Sequence, residues 1–254
     1  MEVSFENKIV LVTGSSRGIG AAIANRFATL GATVIIQYFN NKPRAKETFD
    51  KLHGSCHMLL QADLSNPDDV KRLFDKVLRQ KEKIDILVNN AGIYEETNWW
   101  ELEYEAWQEH WHKTISTNLT GMANLSFLAA RQMIAQGYGR IINISSRGAF
   151  RGEPHALPYG AAKAAMNSFG QSMAWALAAK NVHVFTLAPG WVDTDMTHDI
   201  LMSERGKAVA AQSPMNRVAT PDEIAHAVML LAIPGNEYMS GCIVDINGAS
   251  YLRT

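Results

Sequence analysis

Lys8-Ile9-Val10-Leu11-Val12-Thr13-Gly14-Ser15-Ser16-Arg17-Gly18-Ile19-Gly20 passes from a short β-branched run into a glycine-rich turn, and an Ala-rich helical stretch follows as far as Leu30 before Gly31. Strand, glycine turn and helix in that order predict the first unit of an α/β fold. Gly14, Gly18 and Gly20 let backbone approach a ligand closely, and the free N–H groups that open a helix attract anions such as a pyrophosphate. The spacing is G-x-x-x-G-x-G, not the G-x-G-x-x-G of the general dinucleotide fingerprint, so its weight comes from its setting between strand and helix. A turn that is glycine-rich for purely structural reasons is the competing reading, and that setting argues against it.

The alternation continues outward from this unit. Strands are expected near Ile9, Val34, Met58, Ile86, Ile142, Val184 and Ile243, with helices between them and no Pro/Gly/Ser linker or repeat in the 254 residues. The pattern predicts one doubly wound, Rossmann-like α/β domain over 1–254, a parallel seven-stranded sheet with helices on both faces. Lys and Arg number 24 against 25 Asp and Glu, for a net charge of −1, with both signs scattered and no basic stripe. No nucleic-acid partner is expected. Residues 1–6 lack the basic and apolar regions of a signal peptide and no apolar run approaches a spanning length, so no membrane association is expected. Cys56 and Cys242 form no motif and read as reduced thiols of a cytoplasmic protein. Residues 1–6 and 253–254 are expected to be frayed or surface ends.

The chemistry lies past the middle of the chain. Tyr159 and Lys163 stand four residues apart, one turn apart on one face of a helix, where an ammonium beside a phenol stabilises the phenolate. Ser146 precedes the tyrosine by thirteen residues, at the end of the apolar run Ile141, Ile142, Ile144. A Tyr and a Lys at this spacing are most often plain surface residues, so the pair gains meaning only from its company.

Together these residues resemble the classical short-chain dehydrogenase/reductase family, essentially end to end. Its T-G-x-x-x-G-x-G is met by Thr13 to Gly20, its N-N-A-G by Asn89-Asn90-Ala91-Gly92, its active-site asparagine by Asn118, its serine by Ser146 and its Y-x-x-x-K by Tyr159 and Lys163. Its P-G followed by a threonine falls on Pro189, Gly190 and Thr194. The resemblance implies hydride transfer between a nicotinamide and a ketone or secondary alcohol. Tyr159 is then proton donor or acceptor, Ser146 orients the substrate oxygen, and Lys163, together with the positive ring of the oxidised cofactor, lowers the tyrosine's pKa and also holds the nicotinamide ribose. Asn118 positions a water linking that lysine to solvent; the alternative is a helix-interior amide that satisfies nearby backbone. Dinucleotide contacts are implied for Gly14, Ser16, Arg17, Gly18, Ile19, Gly20, Tyr38, Asp63, Leu64, Asn90, Ala91, Gly92, Val192 and the Pro189, Gly190 and Thr194 already named.

Cofactor choice turns on the end of the second strand, Val34-Ile35-Ile36-Gln37-Tyr38-Phe39-Asn40, where an acid would hold the adenosine ribose hydroxyls and repel a 2′-phosphate. The family's position for that acid falls on Tyr38. Arg17, where NADP-preferring members often carry a base, suits a phosphate, with Lys42 and Arg44 as helpers; a solvated loop charge is the bland alternative. NADP(H) is therefore expected over NAD(H). Asp63 matches the residue that contacts adenine, with an N-cap role as the competing reading. No metal is expected, since His110 and His112 do not share a helix face.

Trp100, Tyr104, Trp107 and Trp111 fall at spacings of three and four and predict one helical stripe, for core or subunit contact. By resemblance that region and the C-terminal strand build the interfaces of a homotetramer. The substrate pocket is implied to draw on Tyr94, residues 147–157, Trp191 and a lid over 193–214, with Arg147, Arg151, Glu153 and His155 making it mixed in polarity. A small polar carbonyl or alcohol is the expected substrate. The branch most resembled is the 3-oxoacyl-[acyl-carrier-protein] reductases, but the two basic positions that grip the carrier fall on Gly137 and Lys180, and Phe185 replaces a common asparagine. Carrier-protein reduction stays open as the alternative, as does a non-catalytic dinucleotide sensor.

Overall fold

The computed structural model describes residues 3–253. The elements are β1 (Ile9–Val12), α1 (Gly18–Thr29), β2 (Thr33–Tyr38), α2 (Lys42–Asp50), β3 (Met58–Gln61), α3 (Pro67–Lys81), β4 (Ile86–Asn89), α4 (Tyr104–Ile115), α5 (Gly121–Gln136) and β5 (Gly139–Ile144). They continue with α6 (Gly148–Arg151), α7 (Leu157–Leu177), β6 (Val182–Pro189), α8 (His198–Met202), α9 (Arg205–Ala210), α10 (Pro221–Ala232) and β7 (Ile243–Ile246). The seven strands pair in parallel in the order β3-β2-β1-β4-β5-β6-β7. The doubly wound sheet expected from the sequence is present.

Largely apolar runs produce this sheet because both of its faces are covered, and the polar residues that interrupt β5 and β6, Arg140, Asn143, His183 and Thr186, are buried with them. Alternate residues of β1 feed opposite cores: Val10 and Val12 join Ile23, Phe27 and Val228 on one side, and Ile9 and Leu11 join Leu73, Leu125 and Met133 on the other. From β1 the chain winds towards β3, then returns to β4 and winds the other way. The loops leaving β1 and β4 therefore diverge, and the crevice they open at the carboxyl ends of the strands is where such sheets bind ligands.

Two expectations are corrected here. Met1, Glu2 and Thr254 lie outside the described residues, but the rest of residues 1–6 is no loose end: Phe5 is buried, packs edge-on against Phe27 at 5.0 Å and donates its N–H to Leu30 O at 2.8 Å. Arg253 is a surface residue, as one of the two readings had it, and is tied to Asp245 at 2.7 Å. The aromatic stripe is broken, because Trp99–Glu101 forms a separate 3₁₀ turn and α4 starts only at Tyr104 after an extended Glu103. Trp107 and Trp111 keep their pairing, at 5.6 Å.

Candidate active site

The glycine turn is clamped from two sides. Thr13 Oγ1 accepts from the N–H groups of Asn90 and Ala91, each at 3.0 Å, and Asn90 Nδ2 donates to the carbonyls of Thr13 and Gly14. Gln37, at the end of β2, accepts from Gly14 N–H at 2.8 Å and donates to Ala62 O at 2.8 Å. Gly14 has φ +60, and a Cβ there would stand 2.7 Å from Ala91 Cα, so only glycine fits. Arg17 precedes α1 without a side-chain cap, which leaves the opening N–H groups of that helix available to an anion.

This turn forms one wall of a cavity of about 650 Å³. Gly14, Ser16, Arg17, Gly18, Ile19, Gly20, Tyr38, Asp63, Leu64, Asn90, Ala91 and Gly92 line one side; Ser146, Tyr159, Lys163, Pro189, Gly190, Val192 and Thr194 line the other. Every catalytic and dinucleotide-contact residue expected from the sequence is there except Asn118, whereas Arg151 and His155 line an adjoining cavity and Lys42 and Arg44 line neither. A cradle closed to side chains, an uncapped helix and a long two-ended cavity fit a dinucleotide. No acid stands at the end of β2, where Tyr38 is buried. Arg17 reaches Asp195 at 3.4 Å, with both side chains about half exposed. Asp63 Oδ1 closes a local turn with Ser65 N–H and Oγ, and Asn66 is the N-cap of α3, so the N-cap reading of Asp63 is set aside.

At the other end of the cavity Lys163 is buried, donates to Ile144 O at 2.7 Å and stands 5.7 Å from the centre of the Tyr159 ring. Burial pulls its pKa down to about 8. Tyr159 is pushed up to about 12 by burial, against a hydrogen bond from Ser146 that pulls down and the Glu153 charge that pushes further up. Ser146 Oγ accepts from Gly148 N–H at 3.0 Å.

Asn118 sits in a π-helical turn, Ser116–Thr120, fully buried. Its Oδ1 accepts from Ile93 N–H at 2.8 Å and its Nδ2 donates to Ile93 O at 2.9 Å. The amide thus braces the backbone just past Gly92, which is the alternative reading of that residue.

Tyr94 meets Tyr159 edge-on at 5.0 Å and Trp191 at 6.4 Å. Its hydroxyl donates to Glu96 Oε1 at 2.9 Å, and Arg205 of α9 grips Glu96 with both nitrogens at 2.8 and 3.2 Å. That fork fastens the 193–214 segment, and neither partner has a local sequence signature; they lie 109 residues apart. Gln37 was missed for the same reason. Arg147, expected to face the substrate, is instead buried and bonded to Ser250 and Gln212, where it ties the C-terminal turn to the lid; desolvation pulls it down to about 10. Arg151 stands 3.8 Å from Glu153. Among the described residues no group of three or more His, Cys, Asp or Glu could hold a metal.

A family model described as enoyl-(acyl carrier protein) reductase matches residues 14–249. The chain is 35% identical over 254 residues to the 3-oxoacyl-[acyl-carrier-protein] reductase FabG of Aquifex aeolicus, covering 99% of this chain and 100% of that one. It is 36% identical over 251 residues to the Escherichia coli FabG, covering 98% and 100%. To the acetoacetyl-CoA reductase of Allochromatium vinosum it is 36% identical over 249 residues, covering 97% and 99%.

Proposed function

Since the chain belongs to the short-chain dehydrogenase/reductase family and is an oxidoreductase of ketones and secondary alcohols, we propose that it works with NADP(H) on a small polar substrate, with Ser146, Tyr159 and Lys163 carrying the chemistry. The observation that supports this most is convergence: those three side chains line the same cavity as the glycine cradle. The cavity would hold a reduced nicotinamide dinucleotide, which would supply the hydride; negative charge then develops on the substrate's carbonyl oxygen. Ser146 holds that oxygen by a hydrogen bond, and Tyr159 gives it the phenolic proton, completing the alcohol. Lys163, buried beneath the tyrosine, holds positive charge against the phenolate that remains. In oxidation the same proton runs back to Tyr159.

NADP(H) is favoured by Arg17 and by the lack of an acid at Tyr38. The Arg17–Asp195 pair is exposed and so worth little, leaving the guanidinium free for a 2′-phosphate. The test is loss of absorbance by NADPH and by NADH with a panel of ketones. Arg17→Ala should cut the NADPH-over-NADH preference in affinity by about ten- to a hundred-fold, and tighter NADH binding by the unmodified protein would overturn the choice.

The relatives favour a second reading, 3-oxoacyl-[acyl-carrier-protein] reduction. Against it, Lys180 is exposed and basic but its companion position is Gly137, the left-handed C-cap of α5. The same panel with acetoacetyl carrier protein decides between them: a kcat/KM for the carrier substrate an order of magnitude above small ketones restores that function. Absence of turnover on every carbonyl, with dinucleotide binding intact, leaves a sensor. We place the protein in the cytoplasm as a homotetramer, supported by two free cysteines and by its exposed apolar helix faces; no helix among the described residues is long and apolar enough to cross a membrane.

A further inference from the structure

Glu153 is held between the two segments that carry the proposed chemistry. Gly152, at φ +78, turns the chain back at the end of α6 so that the glutamate folds beneath that helix. Two glycines make its seat: a Cβ on Gly148 would overlap Glu153 Oε1, and one on Gly160 would lie 3.7 Å from Glu153 Cβ. Gly148 donates its N–H to Ser146 Oγ, and Gly160 directly follows Tyr159. The carboxyl is therefore fixed relative to both the serine and the tyrosine.

The side chain is only 12% exposed, and it forms part of the wall of the main cavity and of an adjoining one of about 240 Å³ with Tyr94, Trp191 and Arg151. Its nearest cation, Arg151 Nη2, stands 3.8 Å away, beyond hydrogen-bond distance. Arg147 is occupied by Ser250 and Gln212, and Arg205 by Glu96. Burial raises the pKa of Glu153, and its charge in turn raises those of Tyr94 and Tyr159. Held only by an ion pair to Arg151 that is longer than a hydrogen bond, this carboxylate keeps acceptor capacity facing the cavities, which an alkyl chain laid against it would leave unused.

We infer that Glu153 selects the substrate by accepting a hydrogen bond from a hydroxyl next to the reacting carbonyl, so that the substrate class is hydroxy-ketones and their diols. A hydroxyl suits the site better than an ammonium, because Arg151 and Arg205 in the adjoining cavity are balanced by Glu153 and Glu96, which leaves no net negative charge there to hold a cation. The inference rests on the proposed ketone reduction at this site and adds what the substrate must carry.

The test uses hydroxyacetone and butanone, which differ in a hydroxyl against a methyl, with NADPH, the full-length protein, Glu153→Ala and Glu153→Gln. Hydroxyacetone is the more reactive ketone, so the readout is how each variant changes the ratio of the two kcat/KM values. Glu153→Ala should shrink the unmodified protein's ratio by about ten-fold or more, the scale of a hydrogen bond to a charged group. Glu153→Gln keeps an acceptor and should lose about half of the effect in free energy, as for neutral against charge-assisted bonds. Where Glu153→Ala does not fold, the near-isosteric Gln variant carries the test with a drop of roughly three-fold. NADPH fluorescence titration confirms folded protein in each case. A ratio unmoved by both variants, a preference for butanone, or turnover of acetoacetyl carrier protein alone overturns the inference and leaves ketone reduction standing. Inactivity on every carbonyl with NADPH bound overturns the ketone-reduction reading itself.

Discussion

Lys163 is an ammonium carried out of reach of water, and its cost is measurable. Its folded pKa of about 8 lies below the ordinary 10.5, so the unfolded chain binds that proton more tightly than the folded one. The penalty is full below about pH 8 and fades as pH rises towards 10.5. Lys163→Met should therefore raise the unfolding free energy near pH 7 by about 1–2 kcal/mol, after allowance for the Ile144 carbonyl left unpaired, and by less at about pH 10. Urea unfolding at both pH values checks this, and a destabilised variant would show that the ammonium is not paid for by the fold. Tyr159 is displaced in the other sense, to about 12, so at neutral pH it keeps its proton and stands ready as a donor. Its linkage also runs oppositely: the raised pKa adds stability that is full below about 10 and lost as pH climbs through about 12. Ketone reduction should accordingly be nearly flat across neutral pH, whereas alcohol oxidation should rise with pH. Tyr159→Phe should lower turnover by roughly 10²-fold or more with NADPH binding nearly intact. Near-native turnover would remove the phenol from proton transfer.

At the scale of elements the π-helical turn between α4 and α5 is the most consequential irregularity, because it presents the Asn118 amide to Ile93. Asn118→Ala would leave the N–H and carbonyl of Ile93 unpaired beside the cavity, and should cost about 2–3 kcal/mol of stability with faster hydrogen exchange just past Gly92. An unchanged melting temperature with lost turnover would refute the bracing role and return Asn118 to water positioning. That turn was not legible in the sequence, since Ser116 to Thr120 carry no signal that separates a π from an α turn. The strands were legible for a physical reason: the inner ones are buried on both faces and read as largely apolar runs, and β1 with its glycine turn encodes its shape within thirteen neighbouring residues. The start of α4 was not, because spacing over Trp100 to Trp111 reports a period and is blind to the extended residue at Glu103 that interrupts it. Clamps made by long-range pairs, Gln37 to Gly14 and Arg205 to Glu96, have no local signature at all. Arg147 is the opposite case: its place beside Ser146 is local, but the direction of its side chain is set by Gln212 and Ser250, far along the chain.

On the scale of the whole molecule, α5 and α7 lie on the same face of the sheet, since Leu125, Ala129 and Met133 of one and Ala174 and Leu177 of the other share an apolar cluster. Their outer sides carry Phe127 at 57% exposure, Ile134 at 40% and Trp175 at 92%. An indole and a phenyl ring left in water on two long helices of one layer make the kind of patch that subunit contact covers. A self-complementary contact across a two-fold axis would bury both copies at once. The C-terminal turn offers a second such place, where Leu252 is 75% exposed beside β7 at the edge of the sheet. Two perpendicular two-fold contacts close a tetramer, so light scattering at micromolar concentration should report four times 28.1 kDa. Trp175→Glu should break the helix contact and halve the mass, because a carboxylate taken from water into an apolar interface without a partner costs several kcal/mol. Leu252→Glu should halve it by the other contact, and the two changes together should give single chains. A mass of one chain for the unmodified protein would refute both contacts, whereas a dimer that Trp175→Glu splits and Leu252→Glu leaves whole would refute only the one at the sheet edge.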